Sequence, residues 1–556
     1  MRQPVWVHGR GCILLALMLV LLAPFASAAS SACTGLGVPP LSLTPTLPTQ
    51  FIPLGAQLGA DCMAWQSFIA LNWAADPNNP GYPDKNAPAS AFGTPGDTTA
   101  TVWQSYLPSS VVFNPPSRAR HTLWSTPRSA VIKLSQRSEA GPTDLSLSGI
   151  LQAGSNKWLT DQSGGLAYYE VHINQDEFEF IKGNVFSGSD LTTFAGQAAC
   201  AGQPGQGGRG GFNLPGGGGT TPTAMLDTDC TGKPAIYGQN VGAIEVKAAW
   251  VALPPDHSLD YRYKTAVATI TDPFGKQSTA TVGLVGLHII HKVPNAQQFV
   301  WATFEQIDNT PDDAGASFSP PVLPPNPNQK PSSGYTFFNT QCTAAGDPTY
   351  QCQHNKLPGT PCDASGQPAG CYPYTAPMQI TRMVTVDSVA NSVTGSAWNM
   401  LPADSVFNYY RLVNVQWPNG NASVPPGSHT PLPRGDITPP STAGIVANTT
   451  LETFEQTKNA CMDCHQGAPI AQASQQKRLV VAGRSERVVQ LQRLLAADAP
   501  LASDYSFLFV TDTVQASAPA ARKAVACTRR SHRSACRAVR APHGSGKAST
   551  ASPAPK

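Results

Sequence analysis

Charge is scarce in this chain. Only 13% of its 556 residues are Asp, Glu, Lys or Arg, against roughly 25% in an average soluble protein. Coiled coils and long surface helices need charged stripes and few breakers, and this chain has the reverse, with 48 Gly and 52 Pro. After the N-terminus there is no apolar stretch of about 18 residues, the least that spans a bilayer as a helix. Methionine is sparse, with 8 in all, and Met462 is the last of them. Hydrophobic residues nonetheless make up 41% of the chain, which excludes wholesale disorder.

The net charge of +3 conceals an uneven distribution. Residues 513–556 are basic and contain no acid, and residues 1–28 carry only Arg2 and Arg10. The body between them is net acidic, so a nucleic-acid reading would rest on the tail alone. Arg2 and Arg10, the apolar run Cys12–Leu22 and the Ala26-Ser27-Ala28 site predict a secretory signal peptide over 1–28. The expected location is periplasmic or secreted, with no transmembrane segment after cleavage.

Thirteen cysteines fit an exported chain. One leaves with the signal. Cys461 and Cys464 stand apart, and the other ten read as disulfides. The expected pairs are local: Cys33–Cys62, Cys200–Cys230, two within Cys342, Cys352, Cys362 and Cys371, and Cys527–Cys536. Spacing does not fix this connectivity.

Cys461-Met462-Asp463-Cys464-His465 is the sharpest chemical signal. C-x-x-C-H in an exported chain is the attachment sequence of a c-type haem. Two thiols on one helical turn add to the two vinyl groups, and the adjacent His offers a ring nitrogen to the iron. Thr449 and Glu452 are spaced as a capping box ahead of the motif. A thioredoxin-like redox pair would need a βαβ setting, and a zinc site would need further Cys or His at matching spacing. Neither is present in the sequence.

In small cytochromes a Met after the motif binds the second face of the haem. None follows Met462 here, and His532 and His543 lie in the basic tail. The sixth ligand is therefore upstream or absent. Candidates are His121, His172, His288, His291, Met378, Met383 and Met400, with His288 or His291 preferred because both sit in one strand-like run. Their odd spacing puts them on opposite faces of a strand, so at most one points at a given site.

The body reads as β. Runs rich in aromatic and β-branched residues span 166–174, 243–253, 280–292, 299–305, 378–386 and 409–417. The expected fold is mainly β with a few helices: a large antiparallel sandwich or barrel-like body, then a short helical C-terminal segment carrying the motif. The domains read as signal 1–28, β-rich body 29–440, helical haem segment 441–512 and disordered basic tail 513–556. Helices are expected at 62–75, burying Trp65, Phe68, Ile69 and Trp73, and at 176–181 and 485–497. Gly202–Gly219 lacks a following Lys-Ser/Thr, so it reads as a flexible insertion, and Asp312–Pro331 as a Pro-rich loop. Asn421 and Asn448 match the glycosylation pattern N-x-S/T.

The segments Glu245–Trp250, Gly286–Lys292, Trp301–Asn309 and Asn448–Phe454, together with Cys461–His465, resemble secreted bacterial monohaem proteins of the "cytochrome c family". The resemblance runs from Asp61 to Phe509. It implies a periplasmic haem protein with a large β body, and carries over Cys461, Cys464 and His465 as functional positions.

The expected function is electron transfer through one covalent haem c, with a periplasmic protein as donor or acceptor and no nucleic-acid partner. A haem-dependent oxidoreductase with an open sixth position facing the β body would better explain the chain's size. A β-rich ligand-binding or sensor protein anchored on haem is the third reading. High Gly and Pro with low charge suit any of these in a disulfide-stapled, loop-rich body.

Overall fold

A computed structural model describes residues 33, 40–49, 57–113, 123–125, 128–135, 149–152, 155, 157–183, 189–201, 211–218, 227–294, 299–311, 335–339, 342, 352–417, 446–457, 460–461, 465, 468, 470 and 504–510. The signal, Cys464, Cys527, Cys536, His121, helix 485–497, loop 312–331 and the basic tail lie outside these residues.

Eight strands form one curled mixed sheet, a half-barrel: β1 (Leu107–Pro108), β2 (Val131–Ser135), β3 (Tyr168–Ile173), β4 (Ile244–Ala252), β5 (Thr265–Thr271), β6 (Gln277–His291), β7 (Val300–Gln306) and β8 (Tyr410–Gln416). Five described helices accompany it: α1 (Gln57–Leu71), α2 (Ser109–Phe113), α3 (Gln175–Gly183), α4 (Phe194–Ala201) and α5 (Ser388–Trp398). The mainly-β expectation holds. One pair departs from the antiparallel pattern, β2 running parallel to β5.

β6 organises the sheet. Along one edge it pairs with β4, and along the other it pairs first with β5 and then with β7. β8 extends the sheet beyond β7. The run 280–292 grows at its start to a strand of 15 residues, because Gln277–Gly283 gains β5 as a partner. The run 378–386 is not a strand. It is extended chain with isolated bridges, such as Gln379 to His354, and its Ile380 N–H bonds Phe337 O outside the sheet.

α1 begins and ends earlier than its apolar pattern suggests. Ala74 and Ala75 instead bridge to Thr101 and Pro83. The helix is buried nearly all round, which is why its sequence shows no one-sided stripe. Phe68 lies 4.5 Å and Trp65 5.2 Å, centroid to centroid, from Phe304 of β7. The Trp65 indole N–H donates to Thr394 Oγ1 of α5 at 3.1 Å. α1 and α5 thus cover the sheet face that carries Leu287, Ile289 and Phe304, and build the main apolar core.

Four disulfides join Cys33–Cys62, Cys200–Cys230, Cys342–Cys352 and Cys362–Cys371, with Cα separations of 5.7, 4.9, 5.5 and 5.0 Å. The first anchors α1 to the segment before it. The second lies in a separate apolar cluster with Phe178, Phe180, Phe212, Trp301, Tyr505 and Phe509. No helix among the described residues is long and apolar enough to cross a membrane.

Candidate functional site

Residues directly opposite on paired strands share a face. The register therefore builds two adjacent rows across the sheet face that α1 does not cover. One row is Lys247, His288, Thr303 and Asn414, and the next is Glu245, Ile290, Trp301 and Gln416. His291 falls on the other face, as its odd spacing from His288 requires. Its Nε2 sits 2.8 Å from Val241 O, and burial pushes its pKa down to about 4, against the pull of that carbonyl.

Residues 446–456 lie on this open face. Asn448 Nδ2 donates to Thr303 Oγ1 at 3.0 Å and to Phe304 O at 2.7 Å. Thr449 donates through N–H and hydroxyl to Glu305 Oε2, at 3.2 and 2.9 Å. Gln152 Nε2 reaches Thr450 O and Thr453 Oγ1 at 2.8 and 2.6 Å. Close approach is possible because Gly286 has no side chain: a Cβ there would stand 2.2 Å from Thr450 Oγ1.

The expected Thr449–Glu452 capping box is displaced by one residue. Asn448 Oδ1 accepts from Thr450 N, and Glu452 Oε2 accepts from Asn448 N. Thr449 is drawn away by the buried Glu305 carboxylate, and 449–457 forms turns instead of helix. Asn448 is fully buried, so its N-x-T pattern marks no accessible glycosylation site.

Glu305 itself sits between two guanidinium groups. Arg411 donates to Oε1 through Nε and Nη2 at 3.1 and 3.0 Å, and Arg382 Nη2 pairs with the same oxygen. Burial raises the carboxyl pKa, but Arg382, Arg411 and Thr449 more than reverse this and hold it below the usual range.

The motif follows this anchored segment. Cys461 and His465, the two of its three expected haem-binding residues that are described, both have helical backbone conformation. Cys461 packs against the second apolar cluster. The His465 ring lies 4.0 Å from that of Trp301 and 5.0 Å from that of Phe507. Its Nδ1 stands 2.9 Å from Tyr505 O. A carbonyl can only accept, so Nδ1 carries the proton and Nε2 keeps its lone pair. Burial pushes the imidazole pKa down to about 4, the charges of Lys247 and His288 push the same way, and Tyr505 O and Glu452 oppose them. At neutral pH His465 is therefore an uncharged ring with Nε2 as its one available donor atom.

That state fits an axial haem ligand, whose second ring nitrogen commonly donates to a carbonyl or carboxylate. Cys461 and Cys464 would hold the porphyrin and His465 Nε2 its iron.

The upstream candidates separate clearly. His288 shares the open face, close enough for its charge to act on His465, and its Nε2 lies 3.4 Å from Glu452 Oε2. Glu452 stays below the ordinary carboxylate range despite burial, owing to His288, Lys247 and the Asn448 N–H. His172 has both nitrogens engaged, Nε2 at 3.0 Å from Glu170 Oε2 and Nδ1 at 3.2 Å from Tyr106 O. Met378 and Met400 belong to the main core, and Met383 is exposed. Among the described residues no group of three or more His, Cys, Asp and Glu could hold a metal ion unaided.

Sequence reasoning missed the partners of these residues. Tyr505 O is a backbone atom, presented by consecutive left-handed residues, Asp504 (φ 54°) and Tyr505 (φ 67°). Neither is glycine, so the turn has no sequence signal. No protein family, curated protein or solved structure matches this chain.

Proposed function

We propose that this chain is an exported monohaem c-type cytochrome. Its haem is bound through Cys461 and Cys464 with His465 as proximal ligand, and it exchanges single electrons with a periplasmic protein partner. The observation that carries the reading is the hydrogen bond from His465 Nδ1 to Tyr505 O, which fixes the tautomer and leaves Nε2 for iron. When bound, the haem supplies a one-electron carrier. The protein's own residues orient the ligand: Tyr505 O takes the ring proton, and Trp301 and Phe507 hold the ring plane. The disulfides suit an oxidising compartment.

A second reading has an observation of its own. His288 and Glu452 form an imidazole–carboxylate pair on the sheet face nearest His465. If His288 binds the iron, the protein is a carrier. If it stays with Glu452, the pair can move a proton at an open haem face, as an oxidoreductase requires. The optical spectrum of protein matured with covalent haem tests both. A low-spin six-coordinate spectrum supports the carrier, and a high-spin one that changes on adding carbon monoxide supports the oxidoreductase. Absence of covalent haem overturns both.

A further inference from the structure

The carbonyl that takes the His465 ring proton stands on a strained turn. Asp504 and Tyr505 both have left-handed backbone torsions, with φ 54° and 67°. Residues other than glycine enter that region at a cost in free energy, and they stay there only where the surroundings hold them. Asp tolerates it better than a bulky Tyr does.

Lys292 supplies such a hold. It follows β6 directly, and its N–H donates to Ala243 O at 2.9 Å, next to the start of β4. The period of two puts its side chain on the face of His288 and Ile290, where His465 rests on Trp301. Its ammonium pairs there with Asp504 Oδ2, and both side chains are wholly buried. The same carboxylate oxygen accepts from Leu214 N at 3.0 Å. Asp227, the other acid on which the Lys292 charge acts, accepts from Gly216 and Gly217 N at 2.7 and 2.8 Å. Asp504 is thus gripped between the end of β6 and the 214–217 loop.

A wholly buried ion pair adds little net stability over apolar packing, because both charges leave water, yet removing one partner is costly. What the pair provides is one permitted placement of Asp504, and with it one direction for the next carbonyl. That carbonyl, Tyr505 O, lies 2.9 Å from His465 Nδ1. Farther along, Phe509 packs on Phe113 and Phe212, and its carbonyl accepts from Gln197 Nε2 at 3.0 Å. Those contacts lie four residues beyond the turn.

We propose that Lys292 and Asp504 are positioning residues for the proximal ligand, a proposal that rests on the haem reading above. Their ion pair locks the turn that aims Tyr505 O at His465 Nδ1, and the strength of that hydrogen bond sets the reduction potential. A bond that draws on the Nδ1 proton makes Nε2 a stronger electron donor. A stronger axial donor favours oxidised iron and lowers the potential. Loosening the turn weakens the bond and raises it.

The test is the haem-loaded Lys292→Met/Asp504→Asn double variant. It removes one charge of each sign, so the net charge of the pair stays zero. Asn adopts left-handed torsions as Asp does and keeps an oxygen for Leu214 N, and Met fills the space of the Lys stem. The midpoint potential should rise above wild type. The His465 Nδ1 proton, followed by nuclear magnetic resonance of the reduced protein, should exchange with solvent at least about tenfold faster. An unchanged potential or an unchanged exchange rate in the loaded variant shows a merely structural pair and overturns the proposal, leaving the haem reading intact. A second measurement needs no variant. In the wild-type haem-loaded protein the Lys292 ammonium protons and the His465 ring proton should lose protection together as denaturant rises, because one turn guards both. Separate loss overturns the proposal, whether or not the double variant loads haem. A wild type that takes up no haem overturns this proposal and the haem reading together.

Discussion

The imidazole of His465 rests on the indole of Trp301, ring centroids 4.0 Å apart. A residue of the C-terminal motif is thereby fixed on a central strand of the sheet. Trp301 is 3% exposed, and removing a buried Trp side chain costs about 3–5 kcal/mol. Trp301→Ala should lower unfolding free energy by that order in denaturant titration and reduce the yield of haem-loaded protein. Trp301→Phe, which keeps an aromatic face, should recover most of the loading.

Glu305 joins β7, Arg382, β8 and the turn before the motif. Its removal leaves two buried guanidinium groups without their shared anion. Breaking such a buried set costs about 3–5 kcal/mol, and Glu305→Ala should lose that much in urea unfolding. The native pKa is depressed, so the stabilisation is complete above the unfolded carboxyl pKa. It is lost as pH falls through the native value. Wild type and Glu305→Ala should converge in stability on acidification.

Asp61 has the opposite sign. Burial pushes its pKa up to about 8, Asp387 adds to this, and the hydrogen bond from Gln57 opposes it. Between pH 3.8 and about 8 the folded protein keeps a proton that the unfolded chain releases. Stability therefore declines as pH rises through that window. Asp61→Asn retains an acceptor for Gln57 Nε2 and cannot ionise. Its stability should exceed wild type by a margin that grows with pH up to about 8. A constant difference across that range would show that Asp61 does not titrate there.

Gly286→Ala should force Thr450 and Asn448 off the sheet, since the new Cβ would meet Thr450 Oγ1 at 2.2 Å. Overpacking of this kind costs about 1–3 kcal/mol. Thermal unfolding should show the loss, and limited proteolysis should cut the 446–456 segment faster than in wild type.

The sequence made legible what repeats or has a fixed spacing. Five of six expected β-runs became strands because their β-branched and aromatic residues suit a pleated, buried surface. The opposite facing of His288 and His291 followed from the period of two. The run 378–386 was misleading, since Met378, Ile380 and Val386 join the main core from extended chain that makes only an isolated bridge and no ladder. β2 and β5 passed unnoticed, being short and modestly apolar, as did α5, whose N-cap Asp387 accepts from Val389 and Ala390. At the site, C-x-x-C-H was plain, but its surroundings were not. Glu305 stands in no sequence motif, and only the sheet register and the 448–452 turn give it and Glu452 their partners.

The most direct test of the central claim is intact-mass and peptide analysis of the chain expressed together with c-type haem maturation enzymes. The expected result is a gain of the mass of one haem, retained after denaturation and confined to the peptide containing Cys461, Cys464 and His465, and lost in the Cys461→Ser/Cys464→Ser double variant. An unmodified peptide with both thiols free would contradict it.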